Sequence, residues 1–72
     1  MNEQQIQAVK LAARMILETV QEMGGDGAPS GIVYAALNAH GMSLMTYQSI
    51  IDSMKRQGLI REEYNVLYAV EV

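Results

Sequence analysis

The chain has 72 residues, half of them hydrophobic, no cysteine and a formal charge of −3 at pH 7. This length fits one small domain, residues 1–72, and excludes a second one. Without cysteine there is neither a disulfide nor a thiolate metal site. The acidic balance disfavours a protein that simply coats nucleic acid. No apolar stretch reaches the roughly 20 residues that span a bilayer, so we expect a cytoplasmic protein with no membrane partner.

The N-terminal part of the chain predicts one long helix over residues 3–23. Apolar residues recur there at alternating steps of three and four, which predicts a buried seam. That seam consists of Ile6, Val9, Ala13, Ile16, Val20 and Met23. Further apolar side chains widen the surface beyond one seam. Either this whole surface packs on the domain's own core, or Met15 and Leu17 are contacts of a homodimer formed through the helix.

Glycines and Pro29 then end the first helix and leave a short extended piece near Ala28. Ser30 is a suitable N-cap for a second helix over residues 30–40, which Gly41 closes. The expected inward residues of this helix are Val33, Ala36, Leu37 and His40. Tyr34 lies on its other side.

A third helix is predicted over residues 43–57, with Ser43 as its N-cap and Gly58 as its stop. Its apolar residues fall at helical spacing and predict one buried side. They are Leu44, Tyr47, Ile50, Ile51 and Met54.

The last part of the chain, residues 59–71, alternates as two strands of a hairpin, with Leu59 expected in the core. The turn between the strands is expected within residues 62–65, where Asn65 best tolerates a positive φ. The sequence therefore predicts a mainly α fold with a small β-hairpin, an α+β class, and a short third strand near Ala28.

This order of elements, with MSLMTYQSIIDSMKRQGLIRE at its centre, resembles the winged helix-turn-helix superfamily, particularly the small MarR-like and PadR-like regulators. The residues that match the family's pattern, from the end of the third helix to the start of the wing, are Met54, Gly58, Leu59, Ile60 and Arg61. The likeness covers roughly residues 28–70. It implies three helices followed by a two-stranded wing, with the third helix in the major groove of DNA and the wing along the backbone or minor groove.

The DNA-binding residues that follow from this resemblance are Tyr34, Met45, Thr46, Gln48, Ser49, Lys55, Arg56 and Arg61. Gln48 suits adenine, Met45 suits a thymine methyl, and Arg56 suits a phosphate. The alternative is that these residues form an ordinary solvated helix face.

Three acidic residues oppose a DNA-binding function. Asp52 lies centrally on the outward side of the third helix, and Glu62 and Glu63 accompany Arg61 in the wing. A wing that follows phosphates is expected to be positive. Our second hypothesis is therefore a non-enzymatic module on the same scaffold that binds another protein.

Catalysis is not expected from this sequence. His40, the one histidine, is assigned to packing or capping, and the serines have no paired base nearby in sequence. Glu62 and Glu63 are adjacent on a strand and so face opposite sides. We expect no catalytic residue, metal site, cofactor or small-molecule substrate.

Overall fold

A computed structural model describes residues 2–70 and contains three helices and three short strands. The mainly helical α+β class is thus confirmed. A 3-10 turn, Gly24–Asp26, follows the first helix. The elements are α1 (Glu3–Met23), β1 (Ala28–Pro29), α2 (Ser30–Asn38), α3 (Leu44–Arg56), β2 (Ile60–Glu63) and β3 (Val66–Ala69).

Helix α1 begins at a reciprocal cap and covers one side of the core. The Asn2 side chain accepts from the Gln5 N–H at 2.8 Å, and the Gln5 side chain accepts from the Asn2 N–H at 3.0 Å. The fully buried stripe of α1 is Ala12, Ile16 and Val20. The predicted seam is wrong at its two ends, where Ile6 and Met23 are 39% and 44% exposed. A helix of 21 residues is about 30 Å long, which is longer than the core beneath it.

Helix α2 differs from its prediction at both ends. Ser30 does not cap it: Pro29 occupies the N-cap position and makes no side-chain cap hydrogen bond. The helix ends at Asn38, two residues early, which leaves His40 exposed in the following turn. Ala36 is also exposed, because it lies to one side of the buried pair, Val33 and Leu37, about 80° around the helix from their centre.

Helix α3 is capped as predicted, since the Ser43 hydroxyl accepts from the Thr46 N–H at 3.2 Å. Gly58, with φ of +75°, follows its end. One predicted core residue is wrong: Leu44 is 53% exposed, because it lies in the first turn, before α3 meets the core. The other four are buried as predicted, namely Tyr47, Ile50, Ile51 and Met54.

The three strands form one antiparallel sheet in the order β1-β3-β2, so the short third strand near Ala28 is confirmed. The hairpin turn consists of Tyr64 and Asn65 alone, with φ of +52° and +64°. It is shorter than predicted, although the positive φ of Asn65 is confirmed. Leu59 precedes β2 and is 38% exposed, so its expected burial is wrong. The predicted hairpin end at Glu71 lies outside the described residues.

Two contacts hold the hairpin against the rest of the domain. The Ser30 N–H donates to the Asn65 carbonyl at 2.8 Å, which joins the start of α2 to the hairpin turn. Gly27 has φ of +75°, and a Cβ there would lie 2.5 Å from Val66 Cγ1 and 2.7 Å from Tyr68 Cε1. Only glycine fits this backbone beside β3 without a shift.

We predict that Ile51→Ala lowers the free energy of unfolding by about 2–5 kcal/mol, because it opens a cavity at a residue that is 1% exposed. Leu44→Ala is the matched control and should cost well under half as much. Urea unfolding followed by circular dichroism measures both. Equal losses in the two variants would show that the assigned core is wrong.

Candidate functional site

The packing of α3 leaves one side of the helix facing solvent. We call it the outer face of α3 and define it by four exposed residues at helical spacing, Met45, Ser49, Asp52 and Arg56. Met45 is 81% exposed, the highest value among the large hydrophobic residues of the helices. Gln48 is exposed beside this face. The structure therefore brings four predicted DNA-binding residues together: Met45, Gln48, Ser49 and Arg56.

Tyr47 fixes the orientation of α3 relative to α2. Its ring is buried, its hydroxyl is 2.8 Å from the Ser30 hydroxyl, and it donates to the Ser30 carbonyl at 3.2 Å. Because that donation uses the only proton of the tyrosine hydroxyl, the Ser30 hydroxyl is the donor in the shorter bond. Burial is the main cause that raises the pKa of Tyr47 above its usual value of 10.0.

Tyr34 and Thr46 make internal contacts. The Tyr34 ring is half-buried and lies 5.3 Å from the Tyr47 ring, and its hydroxyl accepts from the Asn38 side chain at 3.2 Å. The Thr46 hydroxyl accepts from Ser43 at 3.0 Å. These two residues support α2 and α3 and lie off the outer face.

Lys55 and Arg61, both predicted DNA-binding residues, are paired with carboxylates of their own chain. Lys55 Nζ is 3.0 Å from Glu62 Oε1 and 3.7 Å from Asp52 Oδ1. The hydrogen bond that Lys55 donates to Glu62 is the main cause that raises the pKa of Lys55. Arg61 Nη1 is 2.9 Å from Glu63 Oε1, and its guanidinium lies 4.3 Å from the centre of the Tyr68 ring.

The surface formed by α3 and the hairpin has no net charge. Residues 43–70 contain three basic side chains and three acidic ones, so the charge of −3 lies elsewhere in the sequence. Within residues 2–70, Arg56 is the one cation of this surface without a carboxylate oxygen inside 4.0 Å. Long-range attraction of a phosphate backbone is correspondingly weak.

A second candidate site is an open, largely apolar groove of about 940 Å³, which we call the α1 groove. It lies between the N-terminal half of α1 and the connection from α2 to α3. Leu11 and Met15 border it and are 59% and 41% exposed. Its lining residues are Gln5, Ala8, Val9, Leu11, Ala12, Met15, Leu37, His40, Gly41, Met42, Ser43 and Thr46.

The two predicted dimer contacts lie on different sides of α1. Residues two apart on a helix are separated by about 200°. Met15 borders the α1 groove, whereas Leu17 is half-buried and packs against the core. Only Met15 is therefore placed to contact another molecule in the groove, and Leu17 is better assigned to packing.

The described part of the chain offers no assembled metal site, since residues 2–70 contain no group of three His, Asp or Glu side chains in metal-binding arrangement. None of the helices in that part combines the length and the hydropathy of a membrane span. Comparison with family models gave no match, and comparison with curated proteins and with solved structures gave no significant one.

Sequence reasoning missed the pairing of Lys55 with Glu62. The two residues are seven apart and belong to different elements. Their contact depends on the angle at which the chain leaves Gly58 and enters β2, which no local pattern specifies. The pairing of Arg61 with Glu63 had a local signal, because residues two apart on a strand share a side of the sheet.

We predict that Tyr47→Phe lowers the free energy of unfolding by about 1 kcal/mol at neutral pH, because two hydrogen bonds to Ser30 are lost. The pKa of Tyr47 is raised in the folded state, so folding favours the protonated hydroxyl. The resulting contribution to the free energy of unfolding is complete below pH 10 and is lost as the pH rises through the higher pKa of the folded state. The wild type should therefore lose more stability than Tyr47→Phe above pH 10.

Urea unfolding at a series of pH values measures this difference. Tyr64→Phe is the matched control, because Tyr64 is 99% exposed. Its curve should follow that of the wild type. If Tyr47→Phe also follows the wild type at every pH, the assigned role of the Tyr47 hydroxyl is wrong.

Proposed function

We propose that the protein is a winged helix-turn-helix domain that binds duplex DNA and acts as a small transcriptional regulator or accessory factor. Three observations support the proposal: the order of helices and strands, the sheet order β1-β3-β2, and the solvent-facing side of α3. The proposal includes the cytoplasmic location expected from the sequence. It assigns no enzymatic activity.

The proposal depends mainly on the outer face of α3. Its residues, with Gln48 beside them, have side chains suited to base edges in a major groove. Gln48 pairs with adenine N6 and N7, and Met45 contacts a thymine methyl. Asp52 accepts from a cytosine amino group, which gives a carboxylate a favourable place on a DNA-binding surface. Arg56 binds a phosphate at the end of the helix.

The neutral surface has a consequence for affinity. Sequence-independent binding depends on cations that displace counterions from phosphates. Here Lys55 and Arg61 are already paired with Glu62 and Glu63, so binding depends mainly on base contacts. A dimer that presents two copies of α3 would double those contacts and bind two half-sites.

We predict that a pool of mixed-sequence duplexes at low salt shifts the amide resonances of α3 and the hairpin in isotopically labelled protein. Arg56→Gln should weaken binding several-fold and reduce the slope of log affinity against log salt by about one unit, because one phosphate contact is lost. Lys10→Gln, which removes the same charge from α1, is the control and should bind like the wild type.

Absence of shifts along α3 at high micromolar duplex would contradict the proposed DNA binding. Equal losses in Arg56→Gln and Lys10→Gln would show that only net charge matters, and would also contradict binding through the outer face.

We propose a second candidate function, protein binding through the α1 groove, including formation of a homodimer. The exposed apolar side chains of Leu11 and Met15 support it. Such side chains gain roughly 25 cal/mol for each Å² that a partner covers. The lining of the groove includes Thr46 of α3 but none of the four residues of the outer face of α3.

We predict that the wild type self-associates with rising concentration and that Met15→Lys abolishes this, because a charge would enter the covered surface. Light scattering across a concentration series measures the mean mass. Ile32→Lys is the matched control, since Ile32 is 69% exposed but does not line the groove. A wild type that stays monomeric at millimolar concentration would exclude the homodimer.

A further inference from the structure

The ion pairs of the structure are concentrated at one place. In residues 2–70, all three pairs within 4.0 Å lie in α3 and β2: one within α3, one within β2 and one between the two. Glu18 and Glu22 are exposed on α1 and take part in none of them. Within residues 2–70, carboxylates therefore lie within 4.0 Å of cations only on the proposed DNA-binding surface.

Fold stability does not explain these pairs well. The Arg61 and Glu63 side chains are 52% and 60% exposed, and those of Lys55 and Glu62 are 37% and 24% exposed. Pairs between exposed side chains are screened by water and salt, and contribute little to folding. Their main physical effect is on the potential above the surface, where each carboxylate cancels the field of the cation beside it.

That cancellation acts directly on nucleic-acid binding. A phosphate that approaches Lys55 or Arg61 must compete with a carboxylate at 3.0 or 2.9 Å. It also meets repulsion from that carboxylate. A duplex held only through its backbone gains little free energy when a phosphate replaces a carboxylate beside Lys55 or Arg61. A duplex that also makes base contacts with the outer face of α3 can offset the cost of breaking the ion pair.

We propose that Glu62 and Glu63 are specificity-determining residues, built-in counter-charges that suppress sequence-independent duplex binding by α3 and the hairpin. This inference rests on the proposed DNA-binding function. It assigns the two glutamates to discrimination between target and bulk DNA, and explains why residues that oppose DNA affinity lie on this surface.

The test compares the wild type, Glu62→Gln/Glu63→Gln and Glu18→Gln/Glu22→Gln. The two double variants have the same net charge, so the second is the matched control. Binding to a mixed-sequence duplex is measured by fluorescence anisotropy from low to physiological salt. Removing the carboxylates nearest to Lys55 and Arg61 should raise affinity on the order of tenfold and steepen the salt slope by up to about two units, with Asp52 still 3.7 Å from Lys55. The control should gain much less.

Glu63→Gln alone provides a second variant in case the double change disturbs folding, because it alters only an exposed side chain. It should steepen the slope by about one unit. Equal increases in duplex affinity in both double variants would overturn the inference. So would an unchanged affinity in both Glu62→Gln/Glu63→Gln and Glu63→Gln.

These affinities, combined with the amide shifts of isotopically labelled protein, separate this inference from the proposed function. If the wild type shows amide shifts along α3 but neither Glu62→Gln/Glu63→Gln nor Glu63→Gln binds the duplex more tightly, only the counter-charge role is overturned. If these variants bind the duplex more tightly but no amide resonance of α3 shifts, DNA binding through the outer face is overturned, and the inference with it.

Discussion

Burial of one side of α3 is the constraint on which the rest of the site depends. Tyr47, Ile50, Ile51 and Met54 are all 5% exposed or less, and their loss from the core would cost far more than any surface contact returns. The helix therefore cannot rotate to present another side. Tyr47 also bonds Ser30 at the start of α2, so the two helices keep one relative orientation.

The same constraint explains why the outer face of α3 can carry function without affecting stability. Met45, Ser49, Asp52 and Arg56 are exposed, and surface substitutions away from the core have small effects on folding. The site can vary in its chemistry while the scaffold stays the same. For this reason the fold alone does not establish a function, and the proposed DNA binding depends on the side chains and charges of the outer face of α3.

The two candidate sites differ in charge. The surface of α3 and the hairpin carries three basic and three acidic side chains, beside exposed apolar residues that include Leu44 and Met45. The α1 groove is apolar, and no Asp, Glu, Lys or Arg lines it. A ligand recognised by hydrogen bonds suits the first surface, and an apolar partner suits the second. One chain of this size thus presents two surfaces with different requirements.

Local patterns were enough to predict most elements and the inward side of α3. Helical spacing gave Tyr47, Ile50, Ile51 and Met54 correctly, since periodicity depends only on the helix itself. The errors at Ile6, Met23 and Leu44 arise where a helix extends past the core, a boundary that other elements determine. The roles of Ser30 and Lys55 depend on Tyr47 and Glu62, which are distant in sequence, so no local pattern indicates them.

The sheet order has a consequence for synthesis on the ribosome. Strand β1 precedes α2 and α3 in the chain, yet it pairs only with β3. The three helices are therefore synthesised before the strand that joins β1 to β2. Until residues 66–69 are available to pair, Ala28 has no strand partner, Leu67 is missing from the core, and the helices form an incomplete domain with exposed apolar sides.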